Sequence, residues 1–156
     1  MIQIEYLVDH QPLLPELARL HFEEWGYLAP QETLEERTAR LTSLCGRSEI
    51  PTAFVAVAGQ ELVGSAFLVT HDMVTRTDLS PWLAGVYVKP SYRRMGIASR
   101  LIARVEAEAA VLNVPQLYLY TPSEETYYAH RGWRTLAQTE YRRTQVTIMD
   151  KIAVSR

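Results

Sequence analysis

One segment of the sequence, residues 83–112, restricts the fold of this chain more than any other. An apolar run from Leu83 to Val88 passes into the polar turn Arg93-Arg94-Met95-Gly96, which a long helical pattern follows. The helix is indicated by apolar residues at the spacing of one helix face, namely Ile97, Leu101, Ile102, Val105, Ala109 and Leu112. A buried strand joined by a short turn to an amphipathic helix requires a sheet with a helix packed on its face.

The remaining apolar segments complete a mixed pattern. Alternating or continuous apolar runs predict strands at residues 2–8, 54–58, 62–69, 83–88, 116–120, 133–140 and 144–152. Helical spacing predicts helices at residues 13–26, 33–46, 97–112 and 124–131. The predicted order is β-α-α-β-β-β-α-β-α-β-β, which is typical of an α/β or α+β fold with a mixed, mostly antiparallel sheet flanked by helices. The length of 156 residues predicts a single domain over residues 1–156.

Composition excludes several classes of protein. A net charge of −2 gives no general electrostatic attraction to nucleic acid or to an anionic membrane. Cys45 is the only cysteine, so an intrachain disulfide and a thiolate zinc site are impossible, and no metal site is expected. No apolar run approaches the roughly 18 residues of a membrane span, and the N-terminus lacks the features of a signal peptide. We therefore expect a cytoplasmic protein.

The turn before the third predicted helix has the chemistry of an anion site. The first turn of a helix presents unpaired backbone N–H groups and the positive end of the helix dipole, which together bind phosphate well. Gly96 allows close approach of an anion to the backbone, and Arg93 and Arg94 supply charge. The alternative is an ordinary strand-to-helix turn with solvated arginines. The turn is neither a Walker loop nor a dinucleotide-binding fingerprint.

These residues resemble the signature of the GNAT superfamily of acetyl-CoA-dependent N-acetyltransferases. The family pattern Arg/Gln-x-x-Gly-x-Gly/Ala is matched by Arg93, Gly96 and Ala98. The segment from Thr121 to Trp133 resembles the family's aromatic-Tyr-x-x-x-Gly-aromatic pattern. The resemblance is firm in sequence from about Leu83 to Trp133, and it extends to the whole chain in the order of its elements.

The resemblance implies acetyl-CoA as co-substrate and assigns the residues that contact it. The backbone of Val86–Val88 would pair with the pantetheine arm, residues 93–99 would hold the pyrophosphate, and the strands around Val88 and Tyr118 would splay to admit the thioester. Tyr128 would stand near the sulfur as general acid, and Thr121 would replace an asparagine common in the family. The cofactor-binding set is therefore Val86, Tyr87, Val88, Arg93, Arg94, Met95, Gly96, Ile97, Ala98, Ser99, Thr121 and Tyr128.

The general base is not fixed by the resemblance. Histone-type members carry a glutamate where this chain has Trp82, and an indole cannot accept a proton. The titratable residues left open for this role are Glu24, His21, His71, Asp72 and Asp78.

The resemblance places the acceptor between the first two helices and the last hairpin. The predicted contacts there are Glu24, Trp25, Tyr27, Trp82 and Tyr120, an aromatic and acidic set that suits a cationic amine and is also typical of a solvated helix face. Arg142 and Arg143 are interpreted as a solvated hairpin turn, with attraction of an acidic acceptor as the alternative.

The predicted function is transfer of an acetyl group from acetyl-CoA to a primary amine, either a small molecule or a peptide N-terminus, by a monomer or a homodimer. Two alternatives stay open: an acyl-CoA-binding regulatory module without turnover, and an unrelated interaction domain whose motif match is accidental.

Overall fold

The computed structural model describes residues 1–152, which form one seven-stranded sheet with helices on both faces. The strands are β1 (Ile2–Tyr6), β2 (Thr52–Ala58), β3 (Glu61–Val69), β4 (Trp82–Val88), β5 (Gln116–Thr121), β6 (Arg134–Tyr141) and β7 (Thr144–Ile152). The helices are α1 (Leu14–Trp25), α2 (Leu34–Thr42), α3 (Ile97–Val111) and α4 (Glu125–Ala129). This order confirms the predicted fold class.

The boundaries follow from local sequence chemistry. Thr33 caps α2 by accepting from the backbone N–H of Glu36, whose carboxylate accepts in turn from the backbone N–H of Thr33. The predicted end of this helix at Gly46 is wrong, because the helical hydrogen bonds stop at Thr42. The 3₁₀ segment Leu7–Leu13 follows β1 directly, so the predicted extension of the first strand to residue 8 is wrong. The three-residue 3₁₀ turns Gly26–Leu28 and Pro90–Tyr92 were also not predicted, since turns this short leave no periodic signal.

The strand order is β1-β2-β3-β4-β5-β7-β6. The final hairpin was expected, but its insertion is a finding: β7 pairs with β5, and β6 lies at the edge. Every pairing is antiparallel except that of β4 with β5.

Alternation along the strands divides the core between the two faces of the sheet. On one face α1 and α2 pack over residues that include Val55, Phe67 and Ile148. On the other face α3 and α4 pack over residues that include Phe54, Leu68 and Leu119. Neighbouring residues of a strand point to opposite faces of the sheet. The same strands can therefore contribute side chains to both ends of a cleft that crosses the sheet.

The pairing of β4 with β5 is short. Only Trp82 and Tyr118 are in register, and the backbone N–H of Tyr118 donates to the carbonyl of Pro81 at 3.1 Å. Beyond this point the two strands separate toward Val88 and Thr121. The expected splay is therefore present, and it begins at Tyr118 itself.

No helix within residues 1–152 is long and apolar enough to cross a membrane. The same residues contain no group of three or more His, Cys, Asp or Glu side chains placed to hold a metal ion.

Candidate active site

A cleft of about 1600 Å³ opens where β4 and β5 separate. It is lined from one face of the sheet by residues of α1, α2 and the β6–β7 turn, and from the other by the β4–α3 turn and α4. Most of the predicted site residues meet in this cleft, namely Glu24, Trp25, Tyr27, Val86, Tyr87, Val88, Arg93, Arg94, Gly96, Ile97, Ala98, Tyr120, Thr121 and Tyr128.

The β4–α3 turn directs a free helix N-terminus at the cleft. Gly96 is the N-cap of α3 with φ +79°, a left-handed conformation that glycine adopts without strain, and no side chain caps the helix. The first helical hydrogen bond runs from the N–H of Arg100 to the carbonyl of Gly96. A Cβ placed on Gly96 would meet nothing within 4 Å. The first N–H groups of α3 therefore face open space of the kind that an anion fills.

Side-chain contacts fix this turn to the sheet. The Nε of Arg93 donates to the carbonyl of Val88 at 2.8 Å, and its guanidinium lies 5.9 Å from the centre of the Tyr87 ring. Lys89 binds Glu16 on α1 at 2.8 Å. Arg93 thus holds the turn in place through its Nε–H, and its guanidinium also contributes a positive charge to the turn.

A bulge in β4 interrupts its pairing with β3. Ser65 pairs with Tyr87 and Phe67 pairs with Ala84, so Gly85 and Val86 together oppose the single residue Ala66. Gly85 has φ +60°, and a Cβ there would lie 2.5 Å from the Phe67 ring. Only glycine fits this position. The bulge takes the backbone of Val86 out of the regular ladder beside the cleft, where a backbone N–H can stabilise an oxyanion.

A buried hydrogen-bond chain supports the bulge. The Ser65 hydroxyl donates to the carbonyl of Gly85 at 2.8 Å, so its oxygen is left to accept the hydrogen bond of 2.8 Å from Nε2 of His21. Burial, together with the charges of Arg37 and Arg40, lowers the pKa of His21 to about 3. His21 is therefore a neutral donor at physiological pH. It is therefore poorly suited to accept a proton from the amine.

Tyr128 lies at the end of α4 on the α3 face of the sheet. Its ring is buried and packs edge-on against Trp133 at 6.1 Å between centroids. Gly132, with φ +92°, reverses the chain so that the N–H of Trp133 donates to the carbonyl of Tyr128. Burial raises the pKa of the Tyr128 hydroxyl, and Tyr127 and Glu124 act in the same direction. The phenol keeps its proton and is available as a donor in the cleft.

The opposite face of the cleft carries a carboxyl group with a shifted pKa. Asp72 follows β3, is half-buried and lines the cleft near Tyr120. Burial raises the pKa of Asp72 to about 7, while Arg40 and Arg142 oppose the shift. Of the base candidates, Glu24 and His71 also line the cleft, whereas Asp78 is exposed, lies outside it and binds Arg76 at 3.0 Å.

Three of the predicted contact residues lie outside the cleft lining. Trp82 is fully buried, and its indole N–H donates to the carbonyl of Leu79 at 2.7 Å, so it supports the wall from inside the core. Met95 is exposed beside the turn, and Ser99 lies half-buried on α3. Thr121 lines the cleft, but its hydroxyl accepts from the N–H of Glu124 at 2.9 Å and is thereby engaged in the turn.

Sequence reasoning missed two features of the site. One is Ser65, which reads as an ordinary strand residue until β3 and β4 are placed in register. The other is an ion-pair group formed by Glu32, Arg37 and Arg40 beside α2. The capping box at Thr33 and Glu36 marks where α2 begins, so Arg37 and Arg40 can be expected one turn apart on that helix. The ion-pair group is therefore partly predictable from the sequence.

The sequence profile of the acetyltransferase (GNAT) family matches residues 14–134. The chain belongs to the GNAT family. Membership confirms the expected acyltransferase class and acetyl-CoA as the co-substrate, and it removes the alternative of an accidental motif match.

Similar proteins include the aminoglycoside N(6')-acetyltransferase type 1 of Salmonella typhimurium, 40% identical over 57 residues. The match spans 35% of this chain and 39% of that relative, so only a minor part of the curated protein is covered. An aminoglycoside 6'-N-acetyltransferase complexed with coenzyme A has the same fold, with TM-score 0.77, 18% identity, and coverage of 100% of this chain and 98% of that one. The ribosomal-protein-S18-alanine N-acetyltransferase of Escherichia coli has TM-score 0.70, 19% identity, and coverage of 100% and 96% respectively.

Replacing Gly96 with glutamate should abolish binding of acetyl-CoA. The substitution puts a carboxylate where the phosphates are expected and forces an L-residue into a left-handed conformation. Gly59→Glu is the matched control, since Gly59 also has positive φ and an open surround but lies in the β2–β3 turn. Isothermal titration of both variants checks this, and equal affinities would remove the phosphate site from this turn.

Replacing Ser65 with alanine should weaken both the fold and the site. The change leaves the Gly85 carbonyl and the His21 N–H unpaired in the core, which we expect to lower the free energy of unfolding by about 1–3 kcal/mol. It should also reduce kcat more than it changes KM for acetyl-CoA, because the bulge loses its support. Urea unfolding and steady-state kinetics test the two parts, with the exposed Ser43→Ala as control.

Proposed function

We propose that this chain transfers an acetyl group directly from acetyl-CoA to the primary amine of a small molecule. The observation that carries the proposal is the arrangement across the cleft. A tyrosine that keeps its proton lies on one face of the sheet, and a carboxyl group whose pKa is near 7 lies on the other.

The free N–H groups of α3 would hold the pyrophosphate, and the β4 backbone at residues 86–88 would run beside the pantetheine arm. This places the thioester in the gap between β4 and β5. Most of the rate enhancement then comes from holding the amine and the thioester together.

The chemical step needs one proton acceptor and one proton donor. The amine nitrogen attacks the thioester carbonyl carbon, a C–N bond forms, and a backbone N–H near the β4 bulge stabilises the oxyanion. Collapse of this intermediate breaks the C–S bond. The ammonium proton passes to Asp72, and the departing thiolate takes a proton from the Tyr128 hydroxyl. The products are the acetylated amine and coenzyme A; Asp72 then releases its proton to solvent, and Tyr128 is reprotonated from solvent.

Asp72 is the base that the geometry favours. It lies on the α1–α2 face, where the acceptor is expected, and its pKa of about 7 is close to the operating pH. An ordinary carboxylate with a pKa near 3.8 would be a weaker base.

A small-molecule acceptor is supported by the curated relatives, whose names specify aminoglycosides. A peptide N-terminus is the alternative, and the fold neighbour named for the S18 alanine supports it. A regulatory module that binds acyl-CoA without turnover is favoured by one feature, the indole of Trp82 where histone-type members have a glutamate. Amine-dependent release of coenzyme A from acetyl-CoA distinguishes an enzyme from such a module.

Replacing Tyr128 with phenylalanine should lower kcat by about 100-fold or more, because the thiolate loses its proton donor. Affinity for acetyl-CoA should change little, since the ring is retained. Tyr118→Phe, on β5 outside the cleft lining, is the control. Unchanged turnover in Tyr128→Phe would rule out the acid role.

Replacing Asp72 with asparagine should lower kcat/KM and change its pH profile. The wild-type rate should rise as pH increases through about 7, because the carboxyl accepts a proton only when ionised. The variant should lack this inflection. Asp78→Asn, an exposed carboxyl paired with Arg76, is the control. A variant that keeps the inflection would assign it to another group.

A further inference from the structure

Three arginines line the acceptor end of the cleft. Arg37 and Arg40 lie one turn apart on α2, and Arg142 lies in the turn between β6 and β7. Arg142 acts electrostatically on both Glu32 and Asp72, so it lies close to the ion-pair group of α2 and to the base.

Only one carboxylate at this end, among the described residues, forms ion pairs with the arginines that line it. Glu32 binds Arg37 at 3.0 Å and Arg40 at 2.9 Å, so one carboxylate serves two guanidinium groups. Glu36 accepts from the N–H of Thr33 at 2.8 Å, and Glu24 is exposed. Asp72, with a pKa of about 7, carries only part of a negative charge at neutral pH.

Two of the guanidinium groups have unused binding capacity. Arg37 is 6% exposed, and its Nε has no hydrogen-bond partner among the described residues. Arg142 donates to the neutral carbonyl of Leu28 at 3.3 Å and forms no ion pair within residues 1–152. Arg37 already pairs with Glu32 and Arg142 is exposed, but the free N–H donors of both guanidinium groups suit an additional anionic ligand.

The turn that carries Arg142 has a strained backbone. Arg142 and Arg143 both have left-handed φ, +53° and +67°, in a two-residue hairpin loop. Such loops favour Asn-Gly, because residues with bulky side chains are strained there. Local strain of this kind is found where a side chain has a function elsewhere.

We propose that the acceptor is a primary amine that also carries an acidic group, a carboxylate or a phosphate, and that Arg142 and Arg37 bind this group. The proposal rests on the proposed function and specifies its substrate class. The amine lies toward Asp72 and the acidic group lies toward the arginines. A polycationic amine has no group for these guanidinium groups to bind.

The test compares amines that differ only in the acidic group. β-Alanine is paired with propylamine for the carboxylate and phosphoethanolamine with ethanolamine for the phosphate, and spermidine represents a polycation. Release of coenzyme A from acetyl-CoA is measured for each. We expect one acid-bearing member to have a kcat/KM at least about tenfold above its neutral partner, which is the size of one charge-assisted contact.

Arg142→Gln should raise KM for the preferred acid-bearing amine by about tenfold and leave KM for acetyl-CoA unchanged. Arg143→Gln is the matched control, because this neighbour shares the turn and the backbone strain but lies outside the cleft lining. Equal effects of the two substitutions would overturn the proposal.

The remaining outcomes separate this inference from the proposed function. If acetyl-CoA binds but the neutral amines or spermidine react as well as the acid-bearing ones, or no amine reacts, the acidic-group inference is wrong and the cofactor site stands. If acetyl-CoA does not bind in the titration, the proposed function fails and the inference fails with it.

Discussion

The site depends on the short parallel contact between β4 and β5. Trp82 at the start of β4 lies beside Tyr118 of β5, and no residue pair beyond this one joins the two strands. If β4 and β5 paired along their whole length, backbone hydrogen bonds would close the gap between them. The fully buried Trp82 fixes the closed end of the gap, and the β4–α3 turn lies at its open end.

The polar groups around this gap are held by contacts that form only in the folded chain. Gly85 fits its bulge because it has no Cβ, and the Ser65 hydroxyl satisfies its carbonyl. Arg93 secures the β4–α3 turn to the last carbonyl of β4. A flexible arrangement of the same residues would lose entropy on binding the cofactor, whereas this one is already ordered.

Much of the fold follows from sequence periodicity, since each predicted strand and helix is present in the predicted order. The position of β7 between β5 and β6 could not be predicted, because strand order depends on contacts between distant segments. The phosphate turn and Tyr128 were identifiable from residues close together in sequence. Ser65, Arg37 and the pKa of Asp72 were not, because each owes its role to burial by other elements.

The division of the cleft between two faces of one sheet also affects how the substrates arrive. The β4–α3 turn and Tyr128 belong to the α3 side, whereas Asp72, Tyr120 and the arginines belong to the α1–α2 side. Two ligands that approach from opposite sides do not block one another, and neither has to leave before the other enters. The architecture therefore suits a ternary complex, in which both substrates are bound at the same time.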